Sequence, residues 1–176
     1  MKAKDLGYIA VSAAILTVSA WIAVPIGSIP ITLQTAALFL IAGVLGWKRA
    51  TLATLAYLLL GMIGVPVFAG FMGGISVIFS PTGGYLLGFF AISLIVGVIA
   101  EKNGEKFFIR LIVAMYLGLL LCYTIGTAWF MLFIGENMGF IAAITLCVLP
   151  YLPFDVVKMI LSVFLIVRVK KILKMA

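Results

Sequence analysis

Two charged residues lie close together in an otherwise apolar segment near the end of the chain. Asp155 and Lys158 are three positions apart in residues 154–173, an apolar run that predicts a helix. Residues at i and i+3 share a helix face, so the two charges are expected to contact each other. Ionisable residues inside a membrane cost about 2.5–3.5 kcal/mol each at the bilayer centre and usually mark a substrate path. The pair predicts a polar-ligand site; the alternative is an ion pair that only packs helices.

Uncharged polar residues at the starts of two other apolar segments can complete such a site. Thr32 and Gln34 open the second segment, and Thr82 and Tyr85 open the fourth. Ligand pockets are mostly apolar, with a few placed polar groups. These four residues are therefore candidate ligand contacts, although Thr and Gln also hydrogen-bond helices to each other.

Motifs for catalysis and metal binding do not occur in the sequence. It has no His and only two Cys, too few ligands for a zinc, haem or iron–sulfur site. It has no Walker, H-E-x-x-H or G-x-S-x-G motif, and the turn at residues 82–84 lacks the Lys of a phosphate-binding loop. An enzyme, a metal and a cofactor are not expected, and Cys122 and Cys147 are expected to be buried free thiols rather than a disulfide.

The composition indicates that lipid is the solvent for most of the chain. The 176 residues are 66% hydrophobic and 10% charged, with a mean hydropathy of +1.37. A soluble domain is roughly 45–50% apolar and about 25% charged. At about 20 residues per span, the length allows about six short-looped helices and no large catalytic domain. Residues 1–176 are therefore predicted to form one integral membrane domain.

The apolar segments predict an all-α protein with six membrane helices. The prolines at 25 and 30 bracket a short break between the first two apolar segments. Residues 65–80 form a charge-free, Gly-rich stretch typical of a re-entrant or lid-like loop. A short helix is expected within residues 140–149. The six predicted helices cover about residues 7–24, 31–46, 50–64, 81–100, 107–133 and 154–173.

The basic residues predict the orientation of these helices. Eleven of the 12 Lys and Arg lie at the two termini and in the second and fourth connections, and the twelfth is Lys158. Their scatter between apolar runs is a topology signal rather than a nucleic-acid surface, and it places both termini in the cytoplasm. The connections at 25–30, 65–81 and 135–153, which carry no charge or almost none, then converge on the outer side with Asp155 and Lys158. This predicts an outward-opening pocket covered by an apolar loop.

Small residues on the first helix predict a close helix contact. Ala10 and Ala14 have the small-xxx-small spacing that lets helices approach, either within this chain or against a partner. The pattern is not specific, because the same spacing recurs at Gly70 and Gly74 and at Gly84 and Gly88.

Four stretches of the chain form a recognisable pattern: P-I-T-L-Q-T at 30–35, G-M-I-G-V-P-V-F-A-G at 61–70, S-P-T-G-G-Y-L-L-G-F at 80–89 and P-Y-L-P-F-D-V-V-K at 150–158. Together they resemble the BioY family, the biotin-binding S components of energy-coupling factor vitamin transporters. One departure is Phe154, where the family commonly has Gly.

The resemblance implies a six-helix protein of the prokaryotic cytoplasmic membrane that captures biotin from outside. Its motor would be a separate transmembrane coupling protein with two ATP-binding-cassette ATPases, and Ala10 and Ala14 are the candidate contact with that module. The S component would reorient in the membrane to release its vitamin. Two alternatives stay open: an S component for another vitamin, and a structural membrane subunit without a ligand.

The resemblance also suggests roles for individual residues. Asp155 would accept hydrogen bonds from the ureido N–H groups of biotin. Lys158 would donate to the ureido carbonyl or pair with the carboxylate tail, and the sequence leaves both options open. Tyr85 and Phe68 would cover the ring, and Gly83 and Gly84 belong to the same P-T-G-G-Y element as candidate substrate contacts.

Overall fold

Apolar helices make up most of the structure, a computed structural model that describes residues 2–25, 29–102, 104, 106–134 and 139–172. A two-stranded antiparallel hairpin, β1 (Ala23–Val24) and β2 (Ile31–Thr32), joins the first two helices and spans the predicted proline break. The hydropathy pattern of the sequence does not predict these strands. The helices are α1 (Ala3–Trp21), α2 (Gln34–Leu45), α3 (Trp47–Met62), α4 (Ile75–Ile78), α5 (Gly83–Ala100), α6 (Phe107–Ile134), α7 (Phe140–Cys147) and α8 (Leu152–Ile172).

The connection between α2 and α3 is a single glycine. Gly46 has φ +79°, a conformation that favours glycine, so the chain reverses there without a loop. A Cβ at Gly46 would also lie 2.5 Å from a carboxylate oxygen of Glu101. The third helix therefore begins at Trp47 rather than near residue 50 as predicted, and residues 47–49 form its first turn.

The core of the bundle is the close contact of α5 with α6. A Cβ at Gly84 would overlap the side chain of Trp129, and one at Gly88 would lie 2.8 Å from the sulfur of Cys122. Small residues allow helices in lipid to approach closely. The Gly84-xxx-Gly88 spacing thus serves packing inside this chain.

The first helix has one face against the bundle and one exposed face. Ile9, Ala13 and Leu16 are buried, and α1 packs mainly on α3. Ala10 and Ala14 are exposed. Their spacing is therefore not used for internal packing among the described residues.

Charged side chains at one end of the bundle fix the helix termini. Arg49 in α3 pairs with Asp5 in α1 at 2.7 Å. The buried Lys170 in α8 donates to the carbonyl of Ala100 at the end of α5 and lies 4.7 Å from the ring centroid of Phe107. A cation at the end of a helix satisfies its last carbonyls and its dipole. We call this the basic end.

Within the residues that the structure describes, three helices are long and apolar enough to cross a membrane by themselves: α1, α5 and α6. The bent pair α7–α8, with an angle of 49° between its helices, adds a fourth if it is counted as one span. At 12 and 16 residues, α2 and α3 are shorter than the roughly 20 residues of a full span. The described chain is thus a helical, multi-pass membrane protein, and the six-span topology stays a prediction.

Candidate functional site

A cavity of about 130 Å³ lies at the other end of the bundle, where the hairpin, the covering loop (residues 65–80) and the turn between α7 and α8 meet. We call this the loop end. One water needs only about 10–15 Å³, so the space suits a small organic molecule. Most of the wall is apolar, and the apolar side chains include Ile31, Phe68, Met72, Val77, Leu86, Phe89 and Leu119.

Asp155 and Lys158 form the charged part of the wall. The Lys158 ammonium lies 2.8 Å from Oδ1 of Asp155, and the two side chains are 12% and 6% exposed. The predicted contact between them is therefore present. A contact at this distance fits both interpretations of the pair, a ligand site and a packing pair.

Asp155 receives two further hydrogen bonds from other helices. The hydroxyl of Thr35 in α2 donates to Oδ1 at 2.9 Å, and the hydroxyl of Tyr123 in α6 donates to Oδ2 at 2.5 Å. Lys158 also donates to Thr35 at 3.2 Å. Three helices thus meet at one carboxylate, which compensates the cost of burying its charge.

The start of α8 favours a carboxylate at this position. Pro153 is tolerated in the first helical turn because its missing N–H has no partner to lose there. Asp155 lies in the same turn, near the positive end of the helix dipole. The expected start of this helix at Phe154 is two residues late.

Thr32 and Gln34 line the cavity as predicted, and both are held by hydrogen bonds. The hydroxyl of Thr32 donates to Oε1 of Gln34 at 3.0 Å, and Nε2 of Gln34 donates to the hydroxyl of Tyr57 at 2.7 Å. An amide carries two donors and one oxygen with two lone pairs. Gln34 is therefore fixed in orientation and retains capacity for a ligand.

Tyr85 and Thr82 line the cavity from the start of α5. The hydroxyl of Tyr85 lies 3.0 Å from that of Thr127 in α6, and the hydroxyl of Thr82 lies 3.0 Å from that of Ser80. The structure therefore brings both predicted residues to the same wall.

Gly83 and Gly84 do not belong to the cavity wall as the structure describes it. A Cβ at Gly83 would overlap the carbonyl of Ile78, and one at Gly84 would overlap Trp129. Both glycines let the covering loop and α6 approach the start of α5. Their predicted contact with a ligand stays a prediction, whereas their packing is evident.

Phe68 is a residue of the covering loop that lines the cavity. Its side chain is 1% exposed, and its ring meets that of Tyr57 edge-on at 5.5 Å between centroids. The loop is also tied to α1, because the indole of Trp21 donates to the carbonyl of Pro66 at 2.9 Å. The loop contains a 3₁₀ turn (Ala69–Phe71) and the one-turn helix α4, which the sequence analysis did not predict.

A second closure joins the hairpin to the turn before α8. The hydroxyl of Tyr151 donates to the carbonyl of Ile29 at 2.6 Å and accepts from the N–H of Ile29 at 3.2 Å. Both residues line the cavity. The Glu136 and Asn137 segment of the predicted outer connection lies outside the described residues.

Thr35, Tyr123 and Tyr151 are the site residues that the sequence analysis did not single out. Thr35 follows Thr32 by three residues within the helix predicted at 31–46, a spacing that predicts the same face. Tyr123 is a hydroxyl-bearing residue inside a long apolar helix, and such a hydroxyl needs a buried partner.

Both cysteines line the cavity as buried free thiols, as predicted. In the part of the chain that the structure describes, no group of three His, Cys, Asp or Glu side chains is placed to hold a metal ion.

The fold and the cavity define a multi-pass helical membrane protein that encloses a space for a small, partly polar molecule. The model of the BioY family matches residues 1–175, and the chain belongs to this family.

Curated relatives match over most of their length. The chain is 38% identical over 159 residues to the biotin transporter BioY of Thermotoga maritima, covering 90% of this chain and 91% of that protein. It is 40% identical over 170 residues to the probable biotin transporter BioY of Pyrococcus horikoshii, covering 97% and 98%. These relatives are transporters, and the chain, as a member of their family, is not an enzyme.

A solved structure shares the fold. It is the crystal structure at 2.1 Å of the S-component for biotin from an ECF-type ABC transporter, with a TM-score of 0.85 and 27% sequence identity. The match covers 97% of this chain and 95% of that one.

Proposed function

We propose that this chain is the biotin-binding S component of an energy-coupling factor transporter. The observation that carries the proposal is the buried Asp155–Lys158 pair in the wall of an otherwise apolar cavity. Biotin has a polar ureido group, an apolar thioether ring and a carboxylate tail. The charged cluster suits the ureido group, and the rings of Phe68 and Tyr85 suit the apolar one. The names of the relatives and of the structural match support the same ligand.

The direct test is to identify what the protein carries. Detergent-purified protein is denatured, and the released small molecules are identified by mass spectrometry. Biotin is the expected result, with isothermal titration calorimetry on ligand-depleted protein giving saturable binding. Another vitamin released in its place, and competing with biotin, would support the alternative S component. Release of no ligand and no binding of any vitamin would support the structural subunit.

The two native cysteines give an independent test of where the ligand binds. Cys122 and Cys147 both line the cavity. Biotin bound there is expected to slow their modification by a small thiol reagent, as followed by intact-protein mass spectrometry. Modification at the same rate with and without saturating biotin would contradict binding in this cavity.

The proposal includes six membrane passes with both termini in the cytoplasm. Every described Lys and Arg except Lys158 belongs to a terminus, a connection or a helix turn at the basic end. Because loops with excess positive charge stay inside, this distribution supports a cytoplasmic basic end and an outward-facing cavity. The short α2 and α3 would cross together with their adjoining segments in the prokaryotic cytoplasmic membrane.

Transport itself requires partners that supply energy. The chain has no nucleotide-binding motif, so a transmembrane coupling protein with two ATP-binding-cassette ATPases would drive it. The exposed Ala10 and Ala14 leave a shallow face on α1 against which a partner helix can pack closely. This face is the proposed contact with the coupling protein.

A further inference from the structure

Tyr123 is placed between the charged cluster and a second cavity. Its hydroxyl donates to Oδ2 of Asp155 at 2.5 Å. Its side chain lines both the ligand cavity and an apolar cavity of about 440 Å³ between α6, α7 and α8. The ring is thus part of a partition between two spaces, and the hydroxyl is the part that reaches the charged cluster.

Hydrogen-bond accounting limits what the cluster can offer to a ligand. A carboxylate has about four acceptor sites, and an ammonium group has three donors. Among the bonds that the described residues make, Thr35 and Lys158 occupy Oδ1 of Asp155, and Tyr123 occupies one site on Oδ2. The ammonium of Lys158 gives one hydrogen to Asp155 and one to Thr35. One acceptor site on Oδ2 and one donor on Nζ are left.

We propose that Tyr123 is a positioning residue for ligand recognition. Its hydroxyl holds the Asp155 carboxylate so that the remaining acceptor and the remaining Lys158 donor act as a pair. The terminal torsion of an Asp side chain is broad, so without this hydroxyl the carboxylate rotates more freely. The inference rests on the proposed function and deepens it, because it concerns how the same site selects its ligand.

The pair of groups matches one edge of a cyclic urea. One ring N–H and the adjacent carbonyl share a carbon atom, and they need one acceptor and one donor side by side. Asp155 and Lys158 therefore bind one ureido N–H and the ureido carbonyl. This assignment leaves the carboxylate tail of biotin to other residues.

The substitution Tyr123→Phe tests the positioning role, because it removes the hydroxyl and retains the ring that separates the cavities. The matched control is Tyr116→Phe, which removes a hydroxyl two turns earlier on α6 from a residue that lines only the second cavity. Affinities are measured by calorimetry or competition for biotin and for an analogue methylated on both ureido nitrogens. Thermal unfolding without ligand is measured alongside.

Tyr123→Phe is expected to weaken biotin binding by about three- to tenfold, because ligand binding must then order the freed Asp155 side chain. The methylated analogue has no N–H for Asp155, so its affinity is expected to be the same in both proteins. Tyr116→Phe is expected to change neither affinity. Equal weakening for both ligands indicates a merely structural role and overturns the proposal, and so does undiminished biotin binding.

A second measurement uses the unaltered protein and therefore does not depend on the folding of a variant. The two mono-N-methyl isomers of biotin are expected to bind with different affinities, because only one ureido N–H meets Asp155. Isomers that bind alike overturn the assignment. If the unaltered protein binds no biotin, the proposed function itself fails; if it binds biotin while Tyr123→Phe behaves like the control, only the positioning role fails.

Discussion

The ring of Phe68 lies on the bare backbone of Gly61, in the space where any other residue would carry its Cβ. A Cβ built at Gly61 would overlap three ring carbons of Phe68. The glycine in the last turn of α3 is therefore what lets the covering loop reach into the cavity. The same glycine accepts a hydrogen bond from the N–H of Gly74 at 2.7 Å, which ties the loop to α3 just before α4.

Gly61→Ala is expected to displace the Phe68 ring from its position against α3 and to weaken biotin binding by about tenfold. Overpacking of a filled core costs about 1–3 kcal/mol, and here the loop is the part that can move. Calorimetry gives the affinity, and thermal unfolding shows whether the bundle remains folded.

A glycine elsewhere in the chain provides the control for this substitution. Gly7→Ala adds a methyl group that meets nothing within 4 Å, so affinity should not change. The double variant Gly61→Ala/Phe68→Leu should be more stable to heat than Gly61→Ala alone, because the smaller side chain at position 68 leaves room for the added methyl group. Full affinity in Gly61→Ala alone would show that the loop does not need this contact.

The sequence predicted the charged pair and most helices because both follow from local rules. Asp155 and Lys158 lie on one helix, where an i, i+3 spacing fixes their contact before any tertiary structure forms. Long apolar runs such as α5 and α6 have few alternatives to the helix in lipid, since every backbone N–H and C=O must be hydrogen-bonded within the segment. Their predicted and observed limits agree within two residues.

The partners of that pair could not be predicted from local rules. Thr35 and Tyr123 are 120 and 32 positions from Asp155, and only the packing of α2 and α6 against α8 brings their hydroxyls to it. The roles of the glycines depend on tertiary contacts in the same way. Gly83, whose predicted ligand contact stays a prediction, packs against the carbonyl of Ile78.

The proposed orientation predicts which positions are accessible from outside the cell. Lys48→Cys and Lys102→Cys lie at the basic end, whereas Ile75→Cys lies at the loop end, where Ile75 is 58% exposed. The unaltered protein, in which Cys122 and Cys147 are buried free thiols, is labelled alongside to give the background. In intact cells, a membrane-impermeant maleimide is expected to label only Ile75→Cys. Labelling of Lys48→Cys before permeabilisation would contradict the orientation.

The exposed face of α1 predicts that complex formation can be lost while biotin binding is retained. Ala14→Trp fills the shallow face with a large ring, so complex formation with the coupling protein and biotin uptake should be lost. Biotin binding to the isolated protein should remain, because Ala14 lines no part of the cavity. Co-purification and uptake assays measure the first effect, and calorimetry measures the second.

The control for this substitution is Ala142→Trp, at an exposed position of α7, a helix that packs against α6. It should leave complex formation intact. A loss of complex formation in both variants would point to general damage rather than to the α1 face.

Single substitutions of the charged pair are expected to affect binding and stability together. Asp155→Asn keeps the shape of the side chain but removes its charge, and Lys158→Met keeps an apolar stem without the cation. Each should weaken biotin binding by about 1.5–3 kcal/mol, the range for hydrogen bonds to charged groups. Each also leaves a buried charge without its partner, which by itself costs about 3–5 kcal/mol of folding stability.

The double variant Asp155→Asn/Lys158→Met separates the ligand role from the packing role. No lone charge remains in it, so thermal stability without ligand should recover toward that of the unaltered protein. Biotin affinity should stay low, because the Asp155 acceptor and the Lys158 donor are both gone. Thermal unfolding and calorimetry on the same preparations measure the two quantities. Recovered stability together with full biotin affinity would show that the pair only packs α8 in the bundle and that the ligand is held elsewhere.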